Sequence, residues 1–115
     1  MTTILLIDDD PDIQFVVRLL LESRAYKLRI EDSIKNANRA LRDFIPDLIL
    51  LDIMLPDGSG LDFLKVLSHI EPPINVGILS AKLGVELPAY PAKLELIRKP
   101  FSPDHFLFAV NRLIN

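Results

Sequence analysis

Two stretches of the chain are apolar at every position and run directly into carboxylates. Ile4 to Ile7 is followed by Asp8, Asp9 and Asp10, and Leu48 to Leu51 ends in Asp52. A continuous apolar run of this length reads as a strand buried on both faces. Ile74 to Leu79 reads as a third buried strand, with Ser80 at its end. Two further segments alternate instead. Lys27 to Glu31 sets Leu28 and Ile30 between charged neighbours, and Leu94-Glu95-Leu96-Ile97 precedes Arg98 and Lys99. Alternation predicts strands with one less covered face, at the edges of a sheet.

Between these strands the apolar period changes to that of a helix. Asp10-Pro11 supplies a cap and a first helical residue, and Asp12 to Arg24 carries Ile13, Val16, Val17 and Leu20 on one face. Ser33 caps a second helix with Ile34, Ala37, Leu41 and Phe44 inward, ended by Ile45-Pro46-Asp47. Ile53 to Gly60 reads as a mobile, turn-rich loop. A third helix turns Leu61, Leu64, Leu67 and Ile70 inward until Pro72-Pro73 stops it. Residues 81–93 hold Gly84, Pro88 and Pro91. An interior proline costs a helix roughly 3 kcal/mol, so this crossover is expected to form one or two helical turns at most, with Leu83, Leu87 and Tyr90 covering the sheet. Ser102-Pro103 opens a last helix with Phe106, Val110 and Leu113 inward. Phe101 and Phe108 read as core, and His69 and His105 as surface or core-edge residues.

Buried strands 1, 3 and 4 with half-covered strands 2 and 5 fit a doubly wound parallel sheet in the order 2-1-3-4-5. In that order ligands bind beyond the carboxyl ends of the strands, where strands 1 and 3 diverge. Asp8, Asp9 and Asp52 are predicted to stand there, with Ser80 and Lys99 on the same rim. Two carboxylates about 5 Å apart repel by roughly 3 kcal/mol at an effective dielectric of about 20. A hard divalent cation, most simply Mg²⁺, would relieve that crowding. A carboxylate can also attack a phosphoryl group, and Asp52, projecting alone from the central strand, is the best candidate for that role.

Composition narrows the alternatives. The 115 residues suit one domain, 1–115, with half its residues hydrophobic and a quarter charged. The net charge of -3 gives no case for binding nucleic acid or a membrane surface, and the absence of cysteine removes disulfides, thiolate catalysis and thiolate metal sites. No basic leader precedes an apolar stretch, and no apolar run approaches the ~20 residues of a membrane helix, so the expectation is a cytoplasmic protein.

Taken with their order and spacing, the Asp8-Asp9 pair, Asp52 in Asp-Ile-Met-Leu-Pro-Asp-Gly-Ser-Gly, Ser80-Ala81 and Lys99-Pro100-Phe101 resemble the receiver domain of two-component response regulators over the whole chain. The resemblance implies a flavodoxin-like (βα)5 fold with a shortened or irregular fourth helix. It implies phosphorylation of Asp52 by a histidine kinase or phosphotransfer protein, and Mg²⁺ held by Asp9, Asp52 and the Met54 carbonyl, with Asp8 acting through water. Ser80 and Lys99 would bind the phosphoryl oxygens, the Lys99-Pro100 bond would be cis, and an output domain or downstream protein would receive the signal. The implied chemistry is the domain's own phosphorylation and dephosphorylation, with no other enzymatic turnover. Two departures stand out. Leu96 occupies a position usually held by tyrosine or phenylalanine, and Pro88 and Pro91 break the fourth helix. Both would suit a pseudo-receiver, a protein-interaction module independent of phosphorylation. A haloacid-dehalogenase-like phosphatase using Asp8 and Asp10 would need a longer chain with a cap. Flavin binding would need a hydroxyl- and glycine-rich loop where the aspartates stand.

Overall fold

A computed structural model describes residues 1–115. Five parallel strands form the central sheet: β1 (Thr3–Ile7), β2 (Lys27–Glu31), β3 (Leu48–Asp52), β6 (Asn75–Ser80) and β7 (Leu94–Arg98), in the spatial order β2-β1-β3-β6-β7. The half-covered segments stand at the two edges and the continuously apolar ones between them, as their patterning requires. Side chains of the central strands separate cleanly by the two-residue period. Ile4, Leu6, Leu48 and Leu50 join one buried cluster with α1 (Pro11–Glu22) and α4 (Pro103–Ile114). Leu5, Ile7, Ile49 and Leu51 join a second with α2 (Ile34–Asp43) and α3 (Gly60–Leu67).

Helix starts follow the caps read from sequence. Asp10, Ser33 and Ser102 each accept a hydrogen bond from a first-turn amide, at Asp12, Asn36 and His105 respectively. Some side chains fall elsewhere than their spacing suggested. Val16 is 38 % exposed, and the buried stripe of α1 is Val17 and Leu21, flanked by Ile13 and Leu20. On α3, Phe63 is buried beside Leu64 and Leu67. Phe108 is exposed rather than core, because it lies across α4 from Phe106, and the Arg112 guanidinium covers its ring at 4.6 Å. His69 and His105 are exposed.

The loop after β3 differs from expectation, while the crossover before the last strand is irregular, as its prolines require. Part of the loop after β3 is an antiparallel ribbon, β4 (Met54–Leu55) with β5 (Gly58–Ser59), turned by Pro56-Asp57. The crossover between β6 and β7 contains no helix at all. Val85, Leu87 and Tyr90 pack against the second cluster, while Leu83 points outward, 73 % exposed. The end of the crossover is tied down by side chains: the Tyr90 hydroxyl donates to the Ile74 carbonyl at 2.5 Å, and Asn75 Oδ1 accepts from the Lys93 amide at 3.0 Å. No helix of the structure is long and apolar enough to cross a membrane.

Candidate functional site

The parallel sheet delivers four strand ends to one rim. Asp8 follows β1, Asp52 ends β3, Ser80 ends β6 and Lys99 follows β7. Oxygen atoms of Asp8, Asp9 and Asp52 all lie within 4.8 Å of one another. Asp8 is fully buried and Asp52 is 8 % exposed, while Asp9 stands open at the rim. Lys99 Nζ bridges the two buried acids, donating to Asp8 Oδ2 at 2.9 Å and to Asp52 Oδ1 at 3.2 Å. One ammonium thus faces three carboxylates, leaving an excess of negative charge. The donor set is all hard oxygen, close-spaced and open on one side, and therefore fits a cation of the Mg²⁺ class.

Most of the surrounding groups are held in place. Asp8 Oδ1 accepts from the Asp10 amide at 2.9 Å, and Gln14 Nε2 on α1 donates to the Asp8 carbonyl at 2.8 Å. Gly60 sits against the end of β3: a Cβ there would lie 2.1 Å from the Asp52 carbonyl oxygen, so only glycine allows α3 to start so close. Burial and the neighbouring Asp8 charge raise the Asp52 pKa above its ordinary value, against the opposing pull of Lys99 and the Met54 amide. For Lys99, burial lowers the pKa, but hydrogen bonds and charge from Asp8 and Asp52 outweigh it and the net direction is upward. Ser80 is buried, and its Oγ accepts from the Lys82 amide at 2.9 Å. Its own hydroxyl proton remains available. Met54 lies on β4 with its side chain exposed, and the Lys99-Pro100 bond is cis. Leu96 is half-buried on the second cluster.

The structure adds two residues that sequence reasoning missed. Gln14 is one. The other is Asp57, at the turn of the ribbon, whose carboxylate accepts from the Ile34 and Lys35 amides, each at 2.9 Å. Both residues bond backbone groups, Gln14 locally and Asp57 from more than 20 residues away, and backbone partners leave no trace in residue type.

A family model described as the response regulator receiver domain matches residues 4–111. The chain belongs to that family. The response regulator SaeR of Staphylococcus aureus is 32% identical over 117 residues, covering 99% of this chain and 51% of the relative. The receiver chain thus spans about half the length of the curated relative it matches. Among solved structures, the receiver domain of NtrX from Brucella abortus aligns with TM-score 0.84 at 27% identity, over 96% of this chain and 97% of that one. A CheY-like receiver domain protein from Methanospirillum hungatei has the same fold, with TM-score 0.86 at 21% identity over 99% of this chain and 94% of that one. The receiver fold therefore survives here with a helix-free crossover before its last strand.

Proposed function

We propose that this receiver is a cytoplasmic phosphoacceptor switch, taking a phosphoryl group from a histidine kinase or phosphotransfer protein onto Asp52. The observation that carries the reading is the convergence of Asp8, Asp9 and Asp52 within 4.8 Å, with Lys99 Nζ bonded to two of them. The residues present fit Mg²⁺: Asp9, Asp52 and the Met54 carbonyl would hold it, with Asp8 acting through water. Bound there, the ion would supply positive charge to the phosphoryl oxygens. An Asp52 carboxylate oxygen forms the new bond to phosphorus while the bond to the donor nitrogen breaks. Lys99 gives its ammonium charge to a phosphoryl oxygen, and the free Ser80 hydroxyl proton can serve another. The buried Asp8 keeps Lys99 aimed at the site through its 2.9 Å bond. In this reading the domain acts on no other substrate and passes its state to an output domain or downstream protein.

A phosphorylation-independent interaction module is the second reading, favoured by Leu96 and by the helix-free crossover. One experiment separates the two. Incubation with acetyl phosphate and Mg²⁺, followed by intact mass, should add one phosphoryl group to the wild type and none to Asp52→Asn or to protein in EDTA. A modified Asp52→Asn would overturn the assignment of the nucleophile, and an unmodified wild type would favour the second reading.

A further inference from the structure

The amino terminus of α2 is served by a residue from another segment. Three of its orphan amides, those of Ile34, Lys35 and Asn36, find side-chain acceptors. Ser33 Oγ accepts from Asn36 at 3.1 Å, and the first regular helical bond runs from the Ala37 amide to the Ser33 carbonyl at 2.9 Å. The remaining two, Ile34 and Lys35, donate to the two carboxylate oxygens of Asp57, which is 23 and 22 residues away in sequence. The first turn of α2 contains no acidic residue of its own. These two amides hold the Asp57 carboxyl below its ordinary pKa.

Asp57 stands at the tip of the β4-β5 ribbon, and that ribbon starts two residues after Asp52. Its two rungs pair Met54 with Ser59 and Leu55 with Gly58, and Pro56 stiffens the turn between them. Gly58 lies so close to α2 that a Cβ on it would come within 2.9 Å of Ile34 Cδ1. No other side-chain hydrogen bond ties the ribbon to α2. We infer that Asp57 is a positioning residue for the rim: it clamps the ribbon to α2 and so fixes Met54 beside Asp52, without touching the ion or the phosphoryl group. The inference deepens the phosphoacceptor reading and rests on it for its metal readout.

Three variants of the full chain test the clamp: Asp57→Ala, Asp57→Asn and Ser33→Ala, the last removing α2's own cap without touching the ribbon. Amide hydrogen exchange without metal is the first readout, and Mg²⁺ affinity by calorimetry is the second. Asp57→Ala should speed exchange across residues 53–59 and weaken Mg²⁺ binding roughly tenfold, the scale of lost supporting partners behind a metal ligand. Asp57→Asn, which keeps one acceptor oxygen, should fall between Asp57→Ala and wild type. Ser33→Ala should leave both readouts at the wild-type level despite a less stable helix. Unchanged exchange in Asp57→Ala would overturn the clamp, as would Ser33→Ala matching it. Equal loss of affinity in Asp57→Asn and Asp57→Ala with unaltered exchange would assign the effect to charge alone and also overturn it. If wild type binds no Mg²⁺, the phosphoacceptor reading fails, while the exchange comparison still decides whether the clamp exists.

Discussion

Replacing Lys99 by methionine removes the only ammonium between two buried acids while keeping an apolar stem of similar length. Lys99 Nζ lies 2.9 Å from Asp8 and 3.2 Å from Asp52, with the lysine side chain 15% exposed and that of Asp8 0%. At an effective dielectric of about 20, each attraction is worth roughly 5 kcal/mol, and the unopposed carboxylates would repel by about 3 kcal/mol or more. Much of this is offset because lysine no longer has to leave water. Breaking a buried pair nets about 3–5 kcal/mol, and the lower end applies here because Asp52 retains some contact with solvent. A domain with about 5–15 kcal/mol of total stability would show that loss plainly in urea unfolding at neutral pH with EDTA.

Two conditions should shrink the deficit. The folded-state pKa of Asp52 is raised, so its ionised form disfavours folding, and losing Lys99 removes a lowering influence and raises it further. As pH falls through that raised value, protonation removes one of the repelling charges and the Lys99→Met deficit narrows. Lys99 in the wild type behaves in the opposite range: its stabilising contribution is full below the ordinary lysine pKa and fades only as pH rises through its raised value. Mg²⁺ should also narrow the deficit, because a site freed of the repelling ammonium binds it more tightly; a tenfold gain in affinity narrows the deficit by up to about 1.4 kcal/mol. A loss under about 1 kcal/mol in EDTA would refute the claim that Lys99 balances the acids. Failure of Mg²⁺ to stabilise either protein would refute the cation site.

Three further outcomes are expected. Tyr90→Phe should cost about 1 kcal/mol at neutral pH by removing the bond to the Ile74 carbonyl; burial pushes the Tyr90 phenol up to about 12 from 10.0, so wild type should lose this advantage as pH rises from 10 towards 12, seen in paired melts across that range. Ser80→Ala should still gain a phosphoryl group from acetyl phosphate by mass but show a weaker spectral response to it, since its Oγ bonds only the Lys82 amide and lies outside the Lys99 hydrogen bonds. In hydrogen exchange, residues 83–92 should exchange quickly with and without beryllofluoride, because the crossover has no helical ladder to protect it, and strong new protection there would contradict this.

Much of the architecture is legible because burial on both faces and burial on one leave different residue patterns. Ile4 to Ile7 and Leu48 to Leu51 could only be central, and Lys27 to Glu31 only an edge, so the strand order and the meeting of Asp8, Asp9, Asp52, Ser80 and Lys99 on one rim follow. Phe108 and Leu83 were misplaced because hydrophobicity alone does not say which way a side chain turns where a helix face ends or a helix is missing. The β4-β5 ribbon escaped because two-residue strands have no period to read. Asp57 and Gln14 escaped because each recognises backbone groups, which every residue carries.

The helix-free crossover also makes this receiver unusually easy to cut and rejoin. Gly84 sits at φ +69 with nothing within 4 Å of the position a Cβ would take, and its neighbours Lys82 and Leu83 are exposed. A loop that makes so few backbone hydrogen bonds loses little when it is opened, and each doubling of its length adds only about 0.6 kcal/mol of closure entropy. New termini, a protease site or an inserted reporter domain could therefore enter at Gly84, one strand away from Asp52, while the sheet and both core clusters stay closed. The feature that departs most from a helix-covered sheet is thus the natural handle for turning the domain into a sensor of its own state.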